Sequence, residues 1–407
     1  MATITGSNGN DTGLFALLGT SSNDYMSGLN GHDQMFGFNG NDRLYGGAGR
    51  DHLNGDEGND VLIGESGLDV LHGGNGNDQL YGGTDSDTAY GDAGSDQLYG
   101  GDGDDWMYGG AGNDQFFGDA GKDVMNGGAG HDTVSYAAST AHIVIQQHNE
   151  FVWGQKGGGG HAEGDYLYDI EKITGSQYGD YIDGAGGSTV QTLDGGAGDD
   201  WIQGFAGGDL LIGGAGLDML SYAASNAGVA VNLGLGTASG GHAAGDTFAG
   251  FEGINGSAHA DTLTGNSAAN RLSGNGGNDK LYGGHGDDTL VGGTGTDQLW
   301  GGAGSDKFVF SWHDHSGKTA GSRDIVKDFQ KGYDTIDLSG IDAKAGAALN
   351  NAFSFIGQNA FSAEGQVRYS HSGDKTVIEL NIQGGSGAEM QIELTGIHNL
   401  GASDFLL

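Results

Sequence analysis

The chain has 407 residues, with 88 glycines, no proline, no cysteine, and 54 Asp and Glu against 15 Lys and Arg, for a formal charge of −39 at pH 7. That acidic excess excludes nucleic acid and an anionic membrane surface as partners and points to cations, and the absence of cysteine excludes a disulfide framework. Glycine at this level without a strict three-residue period excludes collagen and assigns the glycines to turns.

The first ten residues carry neither a basic n-region nor an apolar h-region, so a cleaved N-terminal secretion signal of the usual kind is not expected. The longest apolar run nearby, Leu14 to Leu18, is too short to span a bilayer, and no membrane span is expected. Residues 1–23 read as an N-terminal capping segment. Gly6-Ser7-Asn8-Gly9-Asn10-Asp11 has a turn pattern, and Leu14 to Leu18 is expected to form a strand that covers the open end of a repeat stack.

Residues 24–135 form a first array in which Asp recurs every nine residues: Asp24, Asp33, Asp42, Asp51, Asp60, Asp69, Asp78, Asp87, Asp96, Asp105, Asp114, Asp123 and Asp132. The unit is Gly-Gly-x-Gly-x-Asp-x-U-x, as in Gly73-Gly74-Asn75-Gly76-Asn77-Asp78-Gln79-Leu80-Tyr81, and the U residue two places after each Asp, from Met26 to Val134, is always apolar. Such self-similarity decides the fold before local propensity does. A short strand with one buried position cannot form a sheet alone, but two nonads can make one coil of eighteen residues with parallel strands on both sides and a thin core of U side chains. The expected fold class is all-β: a right-handed parallel β-roll solenoid of nonapeptide repeats with a C-terminal antiparallel β cap.

The repeat also carries chemistry. A hard cation such as Ca²⁺ takes about six to eight oxygen ligands in tolerant geometry, which backbone carbonyls from glycine turns and one carboxylate per turn can supply. Because equivalent turns lie eighteen residues apart, each ion is expected between Asp n and the turn of Asp n+18, as with Asp60 and Asp78 or Asp279 and Asp297. Each site filled at ten times its dissociation constant would stabilise the fold by ~1.4 kcal/mol, so ten would supply about a whole domain's stability. The narrow core cannot offset the entropy lost by so many glycines, and the chain is expected to be unfolded without calcium.

A β-rich interruption, residues 136–174, begins Ser135-Tyr136-Ala137-Ala138-Ser139 and contains Gly160-His161-Ala162-Glu163-Gly164-Asp165 and Ile170-Glu171-Lys172-Ile173. A second short array, 175–221, places Asp200, Asp209 and Asp218 as ligands after a first nonad at Asp180. The interruption then recurs at 222–255, with Ser221-Tyr222-Ala223-Ala224-Ser225, Gly241-His242-Ala243-Ala244-Gly245-Asp246 and Phe251-Glu252-Gly253-Ile254. A third array, 256–310, supplies Asp261, Asp279, Asp288, Asp297 and Asp306, with Asn270 in place of one Asp. Residues 311–407 lose the glycine excess and alternate in the manner of antiparallel strands at 324–329, 334–338, 366–369, 376–380 and 389–394, with one short helix expected at 343–351.

The nonads resemble those of the repeats-in-toxin family of secreted bacterial proteins. The tail, with Ser305-Asp306-Lys307-Phe308-Val309-Phe310, Asp324-Ile325-Val326-Lys327-Asp328-Phe329, Asp334-Thr335-Ile336-Asp337-Leu338 and the terminal Asp404-Phe405-Leu406-Leu407, resembles the C-terminal domain of serralysin-type metalloproteases. The resemblance implies export of an unfolded chain through a type I secretion apparatus that reads the C-terminus, then calcium-driven folding in the extracellular space. Serralysins also carry a zinc-binding His-Glu-x-x-His; no His-Glu pair occurs in this sequence, so a protease centre is not expected.

Other sites are weaker. No Gly-x-Ser-x-Gly elbow is present. His161 and His242 read better as loop caps than as metal ligands, and His313-Asp314-His315 lacks an indicated third ligand. The outward ladder Tyr45, Ile63, Tyr81, Tyr99 and Phe117 reads as strand-to-strand stacking, the alternative being a stripe that docks glycans or a second copy. The function expected is that of a secreted, calcium-binding, non-enzymatic surface, matrix or adhesion component, with cell-surface polysaccharide or self-association as its contacts. The alternatives are a polysaccharide-active enzyme or accessory module and, less favoured, a toxin or bacteriocin.

Overall fold

The computed structural model describes residues 2–12, 16–146, 151–152, 160–186, 189–312, 314–344, 351–384 and 387–407. The chain divides into two compact units, Met1–Gly204 with Leu210–Gly216, and Phe205–Asp209 with Leu217–Leu407. Among the described residues it is all-β apart from short 3-10 turns, and no helix is long and apolar enough to cross a membrane.

In the first unit the eighteen-residue period becomes strand register. One parallel ladder runs through Tyr25–Asn30, Arg43–Ala48, Val61–Ser66, Gln79–Thr84 and Gln97–Asp102, and a second through Gln34–Phe36, His52–Glu57, Val70–Asn75, Thr88–Ala93 and Trp106–Ala111. Each U residue pairs with the U residue one coil on, as in Leu44↔Leu62, Leu62↔Leu80 and Leu80↔Leu98. These side chains are fully buried along the array and form its core. Many strands span six residues rather than three, because main-chain bonds such as Gly49 N–H to the Ser66 carbonyl, 2.8 Å, carry the ladder through the glycine turn.

The outward ladder stacks within itself. Tyr81 and Tyr99 lie 4.5 Å apart with planes 10° from parallel, Tyr99 and Phe117 lie 4.0 Å apart at 4°, and both faces of Tyr99 are thereby covered. The other ladder has its own stack, His72, Tyr90 and Tyr108, at 4.5 and 5.1 Å. At the N-terminus Leu17–Leu18 pairs in parallel with Met35–Phe36, while residues 13–15 of the expected capping strand lie outside the described residues.

In the second unit Arg271–Ser273, Thr289–Val291 and Lys307–Val309 form one parallel ladder, and Thr262–Thr264, Lys280–His285 and Gln298–Ala303 another. The C-terminal region departs from the sequence expectation in one respect. Asp324–Val326 and Thr335–Asp337 are parallel, not antiparallel, and pair with Gln298–Ala303 and Lys307–Val309. The reason is that Asp324 and Asp334 stand in the register of the nonad aspartates and accept the same main-chain bonds. The antiparallel cap is Gln366–Ser372, Lys375–Asn381 and Met390–Thr395. Residues 345–350 of the expected helix lie outside the described residues.

A core one side chain thick has no second layer to collapse into a void. Leu80→Ala is expected to lower the stability of the calcium-loaded protein by about 2–5 kcal/mol, read from urea denaturation in saturating Ca²⁺. A change under 0.5 kcal/mol, on the order of a surface substitution, would show that the U positions are not the core.

Candidate metal centre: a ladder of buried carboxylates

The thirteen aspartates of the first array are all buried, and their side chains divide the work of their two oxygens. The main-chain N–H of each of the first eleven donates to Oδ1 of the Asp eighteen residues on, from Asp24 to Asp42 through Asp114 to Asp132, at 2.6–2.9 Å. The third array repeats this between Asp261 and Asp279, Asn270 and Asp288, Asp279 and Asp297, and Asp288 and Asp306, at 2.7–3.0 Å. Oδ2 is different. In Asp33 through Asp132, and in Asp279, Asp288, Asp297 and Asp306, it is buried without a hydrogen-bond partner.

A buried carboxylate oxygen without a donor is costly, and one repeated from Asp33 to Asp132 calls for a cation. The surroundings suit one. A methyl group placed on Gly73 would sit 2.5 Å from Asp78 Oδ2 and 2.8 Å from the Gly91 carbonyl oxygen, so only glycine leaves room where carboxylate and carbonyl oxygens converge between successive turns. This donor set, hard oxygen from main chain and carboxylate, fits Ca²⁺ and not the nitrogen and sulfur preferences of zinc. Among the described residues no three His, Asp or Glu side chains gather into a metal cluster.

The residue four places before the Asp differs between most open carboxylates and the closed ones. There the backbone is left-handed in turn after turn, at Gly47, Gly74 and Gly110 but also at Leu29, Phe38, Asp56, Glu65, Asp92 and Asn275, with φ between 67° and 78°. Where that residue is instead Thr20, Ser176 or Ser257, its N–H donates to Oδ2 of Asp24, Asp180 or Asp261 at 2.5–2.6 Å, and its hydroxyl bonds the same carboxylate at 2.8 Å. Those three carboxylates are closed by their own turns. Asn270 is closed too: Asn266 N–H donates to its Oδ1, and its Nδ2 donates to the Glu252 carbonyl.

The structure also adds members that the nine-residue count passed over. Asp123 N–H donates to Asp165 and Asp132 N–H to Glu171; in the duplicate, Asp209 N–H donates to Asp246 and Asp218 N–H to Glu252. Asp180 N–H donates to Asp200 Oδ1 at 2.7 Å. The ladder ends in the tail, where Asp297 meets Asp324 and Asp306 meets Asp334, and Asp324 Oδ2 is again buried without a partner. The duplicated Gly-His-Ala-x-Gly-Asp motifs were the legible signal for Asp165 and Asp246. His161 is held as a loop cap, its Nδ1 donating to the Gly118 carbonyl at 2.9 Å.

The sequence matches two families. Residues 18–134, in overlapping blocks, and 185–220 match the RTX calcium-binding nonapeptide repeat (4 copies), and residues 244–407 match the Peptidase M10 serralysin C terminal. The chain carries RTX calcium-binding nonapeptide repeats and a serralysin C-terminal domain. Its repeats bind Ca²⁺ at multiple sites, and both regions are typical of type I secreted extracellular proteins. Among solved structures it is similar to the solution structures of the AlgE6R3 and AlgE6R2 subunits of the Azotobacter vinelandii mannuronan C5-epimerase, at 27% and 28% identity, each covering 37% of this RTX-repeat chain and 79% and 88% of theirs, both with TM-score 0.28. It is also similar to the extracellular lipase LipA of Serratia marcescens, at 15% identity and TM-score 0.26, over 87% of this chain and 45% of that one. No curated protein matches it.

Without an ion, burial holds the array carboxylates from Asp33 to Asp132 above the usual carboxylate range. Burial, opposed by the neighbour's N–H bond and aided by facing aspartates, raises Asp60 from 3.8 to about 7 and both Asp87 and Asp279 to about 8. A carboxyl raised on folding contributes stability that is full below the unfolded value, near pH 4, and is lost as pH climbs through about 6–8. In chelator, β-structure by far-ultraviolet circular dichroism is therefore expected to grow as pH falls from 8 to 5, and calcium binding to weaken over that range. A calcium-free chain more ordered at pH 8 than at pH 5 would contradict the protonated ladder.

Proposed function

We propose that this RTX chain is exported unfolded by a type I apparatus reading its C-terminus, folds in the extracellular space as calcium fills the ladder, and then serves as a non-enzymatic surface, matrix or adhesion component. The observation that carries the folding half is the row of buried, donor-free Oδ2 atoms facing carbonyl oxygens across glycine. The ligands we assign are Asp33 through Asp114, Asp132, Asp279, Asp288, Asp297 and Asp306, with Asp324 added from the tail; Asp123, which the spacing also nominates, is left out because the Tyr136 ring fills the space beside its cradle glycine Gly118. Asp200, Asp209 and Asp218 join them by register. Asp24 and Asp261, which the spacing also nominates, have carboxylates already held by Thr20 and Ser257, and they act as end rungs rather than ion ligands.

The role after folding is supported by how the molecule spends its side chains. Ladder carboxylates serve main-chain bonds and ion sites, and the aromatic stacks cover each other's faces. Exposed rings remain at the surface, among them Trp106, Tyr178, Trp312 and Tyr333, suited to contacts with cell-surface polysaccharide or a second copy.

Two measurements test this. Asp78→Asn, with its neighbours intact, is expected to lower the calcium bound per chain and to raise the calcium needed for half-folding, by equilibrium dialysis and circular dichroism; unchanged binding would remove Asp78 from the ligand set. The calcium-loaded protein is expected to be retained by polysaccharide or by itself without altering the polymer. Cleavage or epimerisation of the polymer would refute a non-enzymatic role.

A further inference from the structure

The duplicated segments that interrupt the nonads differ from the arrays in one chemical respect. At the rung of Asp165, the oxygen left open elsewhere is taken: the Tyr136 hydroxyl donates to Asp165 Oδ2 at 2.9 Å. The duplicate does the same, Tyr222 donating to Asp246 Oδ2 at 2.9 Å. Both tyrosines are buried, and the Tyr136 ring packs so closely on Gly118 that a methyl group there would collide with it. Gly118 stands five residues before Asp123, the place where Gly73 leaves room before Asp78. A ring thus fills the space beside a cradle glycine, and a hydroxyl meets the carboxylate an ion would meet.

A later rung of each segment is closed as well, by Ser176 on Asp180 and Ser257 on Asp261. The first segment also buries an apolar set of its own, Tyr136, Ile143, Ile145, Leu167, Ile170 and Ile173. The closed turns of both segments avoid the left-handed backbone that Leu29, Phe38, Asp56 and Glu65 adopt, a conformation that costs about 1–3 kcal/mol at a residue other than glycine.

We infer that residues 136–146 with 160–183, and residues 222–264, are calcium-independent clasps, one in each unit, in which a tyrosine hydroxyl and a serine replace the ion and from which the calcium-requiring arrays grow. The clasps rest on the reading that the arrays fold on calcium. They would leave an ordered seed at both ends of the second short array before any ion binds.

The test is hydrogen exchange on the full chain in chelator, followed by mass spectrometry. Peptides covering Val144–Gln146, Tyr166–Thr174 and Tyr181–Asp183, and their counterparts Ala230–Asn232 and Gly253–Thr264, are expected to exchange at least about tenfold more slowly than those from Arg43–Asp102, an opening difference of about 1.4 kcal/mol. The double variant Tyr136→Phe, Tyr222→Phe keeps both rings and should lose that protection in chelator while still folding in millimolar calcium. Asp180→Asn should leave the calcium bound per chain unchanged, where Asp78→Asn lowers it. Uniformly fast exchange in chelator would overturn the clasps alone, and so would a double variant that exchanges like the parent chain. Uniform protection in chelator would overturn the calcium-driven folding on which they rest.

Discussion

Everything in this structure depends on one hydrogen bond repeated along the chain: the N–H of Asp n to Oδ1 of Asp n+18. It fixes the register, and with it the stacking of Leu on Leu in the core and of Tyr on Tyr outside. It also uses only half of each carboxylate. The other oxygen is left inside, out of reach of water, next to a glycine that has no Cβ and a carbonyl from the following turn. That arrangement is unfavourable as it stands and becomes favourable when a divalent cation bridges the two turns.

The turns that dispense with a cation show what the others lack. With Thr20, Ser176 or Ser257 four residues before the Asp, the backbone turns its N–H toward the carboxylate and a hydroxyl completes the shell. With Gly47, Asp56 or Glu65 there, φ is positive and that bond is not made. An acidic residue in a left-handed turn beside a buried carboxylate is doubly disfavoured, by backbone strain and by like charge. The sequence tolerates Asp56, Glu65 and Asp92 at such positions because an ion can offset both.

Much of this was legible in the residues. The nine-residue Asp ladder and the apolar position two residues later specified the coil, its register and the pairing of Asp60 with Asp78 or Asp279 with Asp297, since a strict period leaves one stacking that buries every U side chain. Spacing could not distinguish an open carboxylate from a closed one, because closure depends on whether the residue four places earlier turns its N–H and a hydroxyl onto the carboxylate: Asp24 and Asp78 look alike in the count and differ in the turn. Nor could it find Glu171, Glu252, Asp165 or Asp246, whose separations of 34 to 42 residues from their partners are set by insertions. The tail misled for a related reason. Strand alternation at Asp324 and Asp334 says nothing of direction, and it is their carboxylates, as the last rungs, that make those strands parallel.

The most direct measurement of the central claim is a calcium titration of the chelator-treated chain at pH 7.5, following far-ultraviolet circular dichroism and bound calcium together. The ladder predicts that the arrays gain β-structure cooperatively as ions bind, in step with uptake of many ions per chain. A signal already complete in chelator, or calcium taken up with no change in structure, would contradict it.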